Sequence, residues 1–209
     1  MRRLALSGAL PIILLLAAAA RAQGGPPQIV DPAGDAKVPR PGLDIVSVGW
    51  ATTGTTTKVK VQRRVKKVYT PTAIVITMKL AGAVETTPGA SYWIVFTTPE
   101  CGGVELHYFA NVDDYQAPST ADNDACNGVF DNGTWNVAGN ALVYRIPLKL
   151  ATPVHIGSEF SQLRACTDLG DPLVGYGAGW WLSHSASASP ESDALWVDVA
   201  STGKTWKVG

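Results

Sequence analysis

The chain alternates between apolar and polar positions in short runs, and no stretch sustains a helical period. Asp44–Ala51 alternates and predicts a first strand, followed by a Thr/Gly turn over Thr52–Thr57. Lys58–Tyr69 alternates again, with Val59, Val61, Val65 and Tyr69 on one face and Lys58, Lys60, Gln62, Arg64 and Lys66 on the other. Arg63 and Lys67 interrupt the apolar face, so a bulge or an early strand end is expected there. Pro71 is expected to separate this strand from the next, Thr72–Leu80. Ser91–Thr97 and Val104–Asn111 are rich in aromatic and β-branched residues and predict strands. Val112–Gly133 is the longest segment without regular patterning. Thr134–Val137 and Ala141–Ile146 flank Ala138-Gly139-Asn140, a hairpin signal. Ser158–Thr167 reads equally as a strand or a helical turn. Ala194–Val199 and Lys204–Val208 are expected to close the chain as a hairpin around Ser201-Thr202-Gly203.

About ten short strands, with turn signals every eight to twelve residues, predict an all-β fold. The expected architecture is a two-sheet antiparallel β-sandwich of immunoglobulin-like or jelly-roll type, with a closed barrel as the alternative.

The N-terminus breaks this pattern. Arg2 and Arg3 precede the apolar stretch Leu4–Ala20, and Ala20-Arg21-Ala22 has the small-x-small form of a cleavage site. Residues 1–22 therefore read as a signal peptide, which leaves residues 23–209 as one secreted or periplasmic domain. No second long apolar run follows, so no integral membrane segment is expected after cleavage. The whole chain has 17 basic and 17 acidic residues. Without Arg2, Arg3 and Arg21 the balance is 14 to 17, a net charge of −3, and no nucleic-acid partner is expected.

Three cysteines allow at most one intramolecular disulfide. Cys101 and Cys126 bracket a polar, loop-like segment and are the expected pair, with Cys166 as a buried thiol in a strand-like run; pairing through Cys166 stays open. No Cys-x-x-Cys or His-x-x-x-His spacing suggests zinc.

The sharpest chemical feature is Asp31-Pro32-Ala33-Gly34-Asp35, followed by Pro41-Gly42-Leu43-Asp44-Ile45. Three carboxylates flank a tight Gly/Pro loop, which can gather side-chain and main-chain oxygens around one point, as calcium requires. The other reading is turn chemistry, with Asp31 and Asp35 capping their own loop and Asp44 the strand edge. Glu191 and Asp193 are further candidates if the chain ends meet.

An Asp-Pro-x-Gly-Asp loop leading into Gly-x-Asp-Ile resembles the opening of carbohydrate-binding family 9-like and DOMON-like sandwiches. It is similar in particular to the calcium-binding C-terminal domains of glucodextranase-type secreted proteins. The resemblance spans residues 31–45. It implies a β-sandwich with an N-terminal calcium loop, and Asp31, Asp35 and Asp44 as the calcium ligands.

The acidic segment Asp113–Asp131 lacks EF-hand spacing and reads as a solvated loop. Asn132-Gly133-Thr134 matches a glycosylation sequon. The run Lys58–Lys67 carries six cations and suits either a polyanion or the solvated face of an edge strand. Tyr176, Trp180 and Trp181 lie in a Gly-rich segment and are the candidate ring platform for a sugar, with core packing as the alternative.

Catalysis has weaker support. His107, His155 and His184 stand in no nucleophile motif, and Glu105 with His107 reads as a polar strand face. The expectation is a non-catalytic binding module for carbohydrate or a cell-surface polymer, with a structural calcium ion. The alternatives are a structural or protein-interaction domain of the envelope and, third, a secreted hydrolase.

Overall fold

The computed structural model describes residues 26–61, 64–86, 90–103, 105–111, 133–151, 153–169 and 197–209. The expected signal peptide lies outside them. Among the described residues the regular structure is β1 (Ile29–Val30), β2 (Ile45–Val61), β3 (Arg64–Leu80), β4 (Ala90–Thr97), β5 (Glu105–Asn111), β6 (Thr134–Ala138), β7 (Ala141–Pro147), β8 (Glu159–Leu169), β9 (Asp198–Ser201) and β10 (Trp206–Lys207), with 3-10 turns at Pro99–Cys101 and Leu148–Leu150. No helix among them is long and apolar enough to cross a membrane.

The strands form a two-sheet antiparallel β-sandwich. The first sheet runs β1-β2-β3-β7-β6. The second runs β10-β8-β4-β5, with β9 also paired to β8. Ile45, Val48, Trp50, Ile76 and Met78 from the first sheet meet Tyr92, Ile94, Phe96, Phe160 and Leu163 from the second in one buried cluster. Phe96 and Phe160 stack with ring centroids 4.4 Å apart. Each such side chain, fully buried, contributes roughly 1.5–3 kcal/mol. The polar ends of the buried tyrosines are satisfied across the layers: Tyr144 Oη donates to the Tyr92 carbonyl at 3.0 Å, and Tyr92 Oη to the Gly42 carbonyl at 2.9 Å.

Bulges decide which residues face this core. The β2–β3 register slips between Ile45 and Ser47, which makes Val46 the extra residue. Ile45 and Val48 are three residues apart, yet both are buried. The β4–β8 register slips between Val95 and Thr97, and Gln162 adopts φ 50°. Phe160 and Leu163 therefore both point inward, and the ambiguous segment is strand β8.

Three local expectations need correction. Thr52–Thr57 is not a turn, and Pro71 does not end a strand: β2 and β3 are each 17 residues long. Their register slips between Thr53 and Gly54, and Pro71 sits opposite Gly54. A bulge tolerates a residue without an N–H donor, and a glycine opposite leaves room for the ring. Second, Lys58–Tyr69 is not one strand, and of the bulge or early end expected around Arg63 and Lys67 it is the end that occurs. β2 ends at Val61 and β3 begins at Arg64, so the chain doubles back and the faces regroup. Third, β9 and β10 do not form a hairpin. Both pair antiparallel with β8, β9 along Arg164–Thr167 and β10 along Glu159–Phe160, and so continue one interrupted edge. The expected β6–β7 hairpin is present, with Ala138 opposite Ala141 and Gly139 at φ 65°.

A Cβ built on Gly54 would lie 2.1 Å from the Thr70 carbonyl oxygen, whereas on Gly49 its nearest neighbour is 3.7 Å away. Gly54→Ala is expected to lower stability by about 1–3 kcal/mol in urea unfolding, and Gly49→Ala to leave it essentially unchanged.

Candidate metal site

The loop between β1 and β2 is fixed from three sides. The Asp31 N–H donates to the Val46 carbonyl at 2.9 Å, holding the loop to the start of β2. The Lys37 N–H donates to the Val197 carbonyl at 2.8 Å, tying the middle of the loop to the approach to β9. Thr167 Oγ1 donates to the Leu43 carbonyl at 2.6 Å, tying its end to β8. The N-terminal loop thus closes the seam between the two sheets.

Carboxylates do much of the local work. Asp44 Oδ2 accepts the Gly34 N–H at 2.6 Å, and Gly34 takes φ 93°, a conformation that glycine adopts without strain. Asp198 Oδ2 accepts the Ile45 N–H at 2.6 Å across the seam. Asp44 and Asp198 are about 5% and 6% exposed. Two oxygens in this region are buried without any partner, Asp31 Oδ2 and Asp44 Oδ1.

One oxygen each from Asp31, Asp35 and Asp198 lies within 4.8 Å of the others. Oxygens sharing a calcium ion at 2.3–2.6 Å have the same spread, so the donor set fits a hard cation. The electrostatics agree. Burial, and then repulsion by Asp198, Asp35 and Asp44, pushes the Asp31 carboxyl up from 3.8 to about 6. Burial is also the main cause raising Asp198, opposed by the Ile45 N–H and reinforced by Asp35 and Asp44. The charges acting on these two acids are all negative.

The expected trio is thus partly regrouped. Asp31 and Asp35 converge with Asp198, while Asp44 shapes the loop beside them and keeps one oxygen unpartnered. Asp198 was missed because its distance along the chain hides it. The available signal was a lone carboxylate between Val197 and Val199 in an apolar strand. Glu191, Asp193, the acidic segment 113–131, Tyr176, Trp180, Trp181, Cys126 and His184 lie outside the described residues. Cys166 is buried within β8, as the strand reading expected.

Among histidines, His107 lies in β5 opposite Val95. His155 is largely exposed, with Nδ1 3.3 Å from Ser158 Oγ and 3.9 Å from Glu100 Oε1. A serine–histidine–acid relay needs the hydroxyl and the acid on opposite ring nitrogens, and here both approach Nδ1. The Ser158 hydroxyl instead accepts the His155 backbone N–H at 2.9 Å, which is turn chemistry.

No family model matches the chain, and no curated protein or solved structure shows significant similarity to it.

An acid whose pKa is raised by folding keeps its proton longer in the folded state. Between 3.8 and about 6 the folded chain holds the extra proton at Asp31. Its contribution therefore favours folding as pH falls through this window and disfavours it as pH rises. In chelator, Asp31→Asn is expected to raise the melting temperature at pH 7 and to flatten its pH dependence between 4 and 7. Equal slopes for the two proteins would contradict the coupling of these carboxylates.

Proposed function

We propose that the chain is a secreted, non-catalytic binding module for carbohydrate or another cell-surface polymer, with one structural calcium ion in its N-terminal loop. The observation that carries this reading is the convergence of Asp31, Asp35 and Asp198 beside the buried, unpartnered oxygens of Asp31 and Asp44. Burying carboxylates beside one another without a compensating cation is costly, and a bound divalent ion removes that cost. Turn capping accounts for Asp44 Oδ2 and Asp198 Oδ2 but not for the two unpartnered oxygens.

In this reading calcium supplies positive charge and oxygen coordination. Asp31, Asp35 and Asp198 hold it, and Asp44 keeps Gly34 in its left-handed turn. The ion stiffens the seam between the sheets and thereby the end of the sandwich. Secretion is supported by the n-region, apolar stretch and cleavage pattern of residues 1–22. The polymer ligand is supported by the resemblance of residues 31–45 to secreted carbohydrate-binding sandwiches, and by Tyr176, Trp180 and Trp181 as candidate ring surfaces. A Cys101–Cys126 disulfide belongs to the same reading, with Cys101 buried at the end of the 3-10 turn Pro99–Cys101.

Calcium at a hundredfold excess over its Kd is expected to stabilise the chain by about 2.7 kcal/mol, visible as a rise in melting temperature that chelator reverses. Asp35→Ala and Asp198→Asn should each abolish the rise. No shift in the unsubstituted protein, together with no calcium by elemental analysis, would sink the metal assignment. On a glycan array, Trp180→Ala and Trp181→Ala are expected to lose signal, and a blank array for the unsubstituted protein would count against a sugar ligand.

A further inference from the structure

The longest strands outrun their sheet. β7 pairs with β3 only over Ala73–Lys79, and β1 meets β2 only at Ser47 and Val48. Beyond the Gly54–Pro71 pair, β2 and β3 continue from Thr55–Thr70 to Val61–Arg64 with no third strand beside them among the described residues. Seven pairs at about 3.4 Å per residue make a two-stranded arm projecting roughly 20 Å. Residues 55–60 and 64–68 are exposed, so among the described residues nothing packs on most of the arm's length.

Its charge is one-sided. Residues 55–70 hold Lys58, Lys60, Arg63, Arg64, Lys66 and Lys67 and no acid, in a chain whose formal charge is zero. The register puts Lys58, Lys60 and Lys67 on one face, with Val65, and Arg64 and Lys66 on the other, with Val59 and Val68. Neither the Arg40–Glu85 nor the His155–Glu100 ion pair involves the arm. Lys58 stands directly opposite Lys67. Charges that protect a free edge do not need to be of one sign, and like charges directly opposite are destabilising. The arm therefore carries a repulsion in the free protein that a bound anion relieves.

We propose that this arm is the docking element for a linear anionic polysaccharide, whose carboxylates pair with the arm cations while its sugar rings lie on Val59, Val65 and Val68, which are 41%, 65% and 43% exposed. Cations on both faces suit a flexible chain that can pass around the ribbon. A flat anionic membrane would meet one face and leave the other idle. The proposal deepens the function above by giving the surface polymer a charge, and rests on it for the arm's exposure outside the cell. The surface itself is independent: Asp44 immediately precedes β2, whereas the arm forms its other end.

The test uses the purified chain with polygalacturonate as probe, against neutral dextran, phosphatidylglycerol vesicles and duplex DNA at equal charge concentration. Polygalacturonate is expected to bind, and to weaken as salt rises. Replacing Lys58, Lys60, Lys66 and Lys67 by Gln should weaken it at least tenfold, and dextran should not bind. The double variants Lys58→Gln/Lys67→Gln and Lys60→Gln/Lys66→Gln give the same reading if the fourfold variant does not fold, each with a several-fold loss. Equal affinity of variants and unsubstituted protein overturns the proposal, as does binding of vesicles or DNA as tight as that of polygalacturonate. A calcium-dependent rise in melting temperature that persists while polygalacturonate fails would reject the arm and leave the metal site standing.

Discussion

A hydrogen bond joins residues 153 positions apart: the Asp198 carboxylate accepts the backbone N–H of Ile45 where β2 begins. On one side of it lies the first sheet, on the other the edge strand of the second. The same carboxylate belongs to the cluster with Asp31 and Asp35. Closing the sandwich at this seam therefore brings buried Asp198 and half-buried Asp31 together with exposed Asp35. Main-chain N–H groups satisfy part of that charge, through Gly34 on Asp44 and Ile45 on Asp198. They leave Asp31 Oδ2 and Asp44 Oδ1 without partners. A cation at the seam would complete a closure that hydrogen bonds only begin.

The rest of the architecture follows from burying two apolar faces with a strand period of two. A bulge at Val46 lets Ile45 and Val48 share the core, and one at Gln162 does the same for Phe160 and Leu163. A third slip, at Thr53 and Gly54, sits where β3 loses β7 as a neighbour. From there the β2–β3 pair leaves the sandwich as the basic arm. The molecule so separates its charge, with buried carboxylates at one end of β2 and exposed cations at the other.

The candidate site was half legible in the chain. Asp31, Asp35 and Asp44 stand together in a Gly/Pro loop, and local spacing is enough to suggest an oxygen-rich turn. Asp198 has no local partner, and only the pairing of β9 with β8 beside the loop brings it in. The basic run was visible as charge, but its alternation fitted one continuous strand as well as the ends of two. The pairing of Val61 with Arg64 decides between them, and it places Val65 with Lys58 and Lys60 rather than with Val59.

Alternation, turn residues and the absence of a helical period were sufficient for an all-β sandwich, because side-chain direction in a strand is set by parity alone. Glycine at Gly34 and Gly139 marked real turns, since positive φ is a local property. Pro71 misled for the complementary reason. Whether a missing donor ends a strand depends on what lies opposite, and Gly54 is seventeen residues away. Bulge positions, the merging of β9 and β10 into one edge, and the choice of Asp198 as the third carboxylate were decided by tertiary structure only. Each depends on which strands become neighbours, and that is fixed by burial of the whole core rather than by any local stretch of chain.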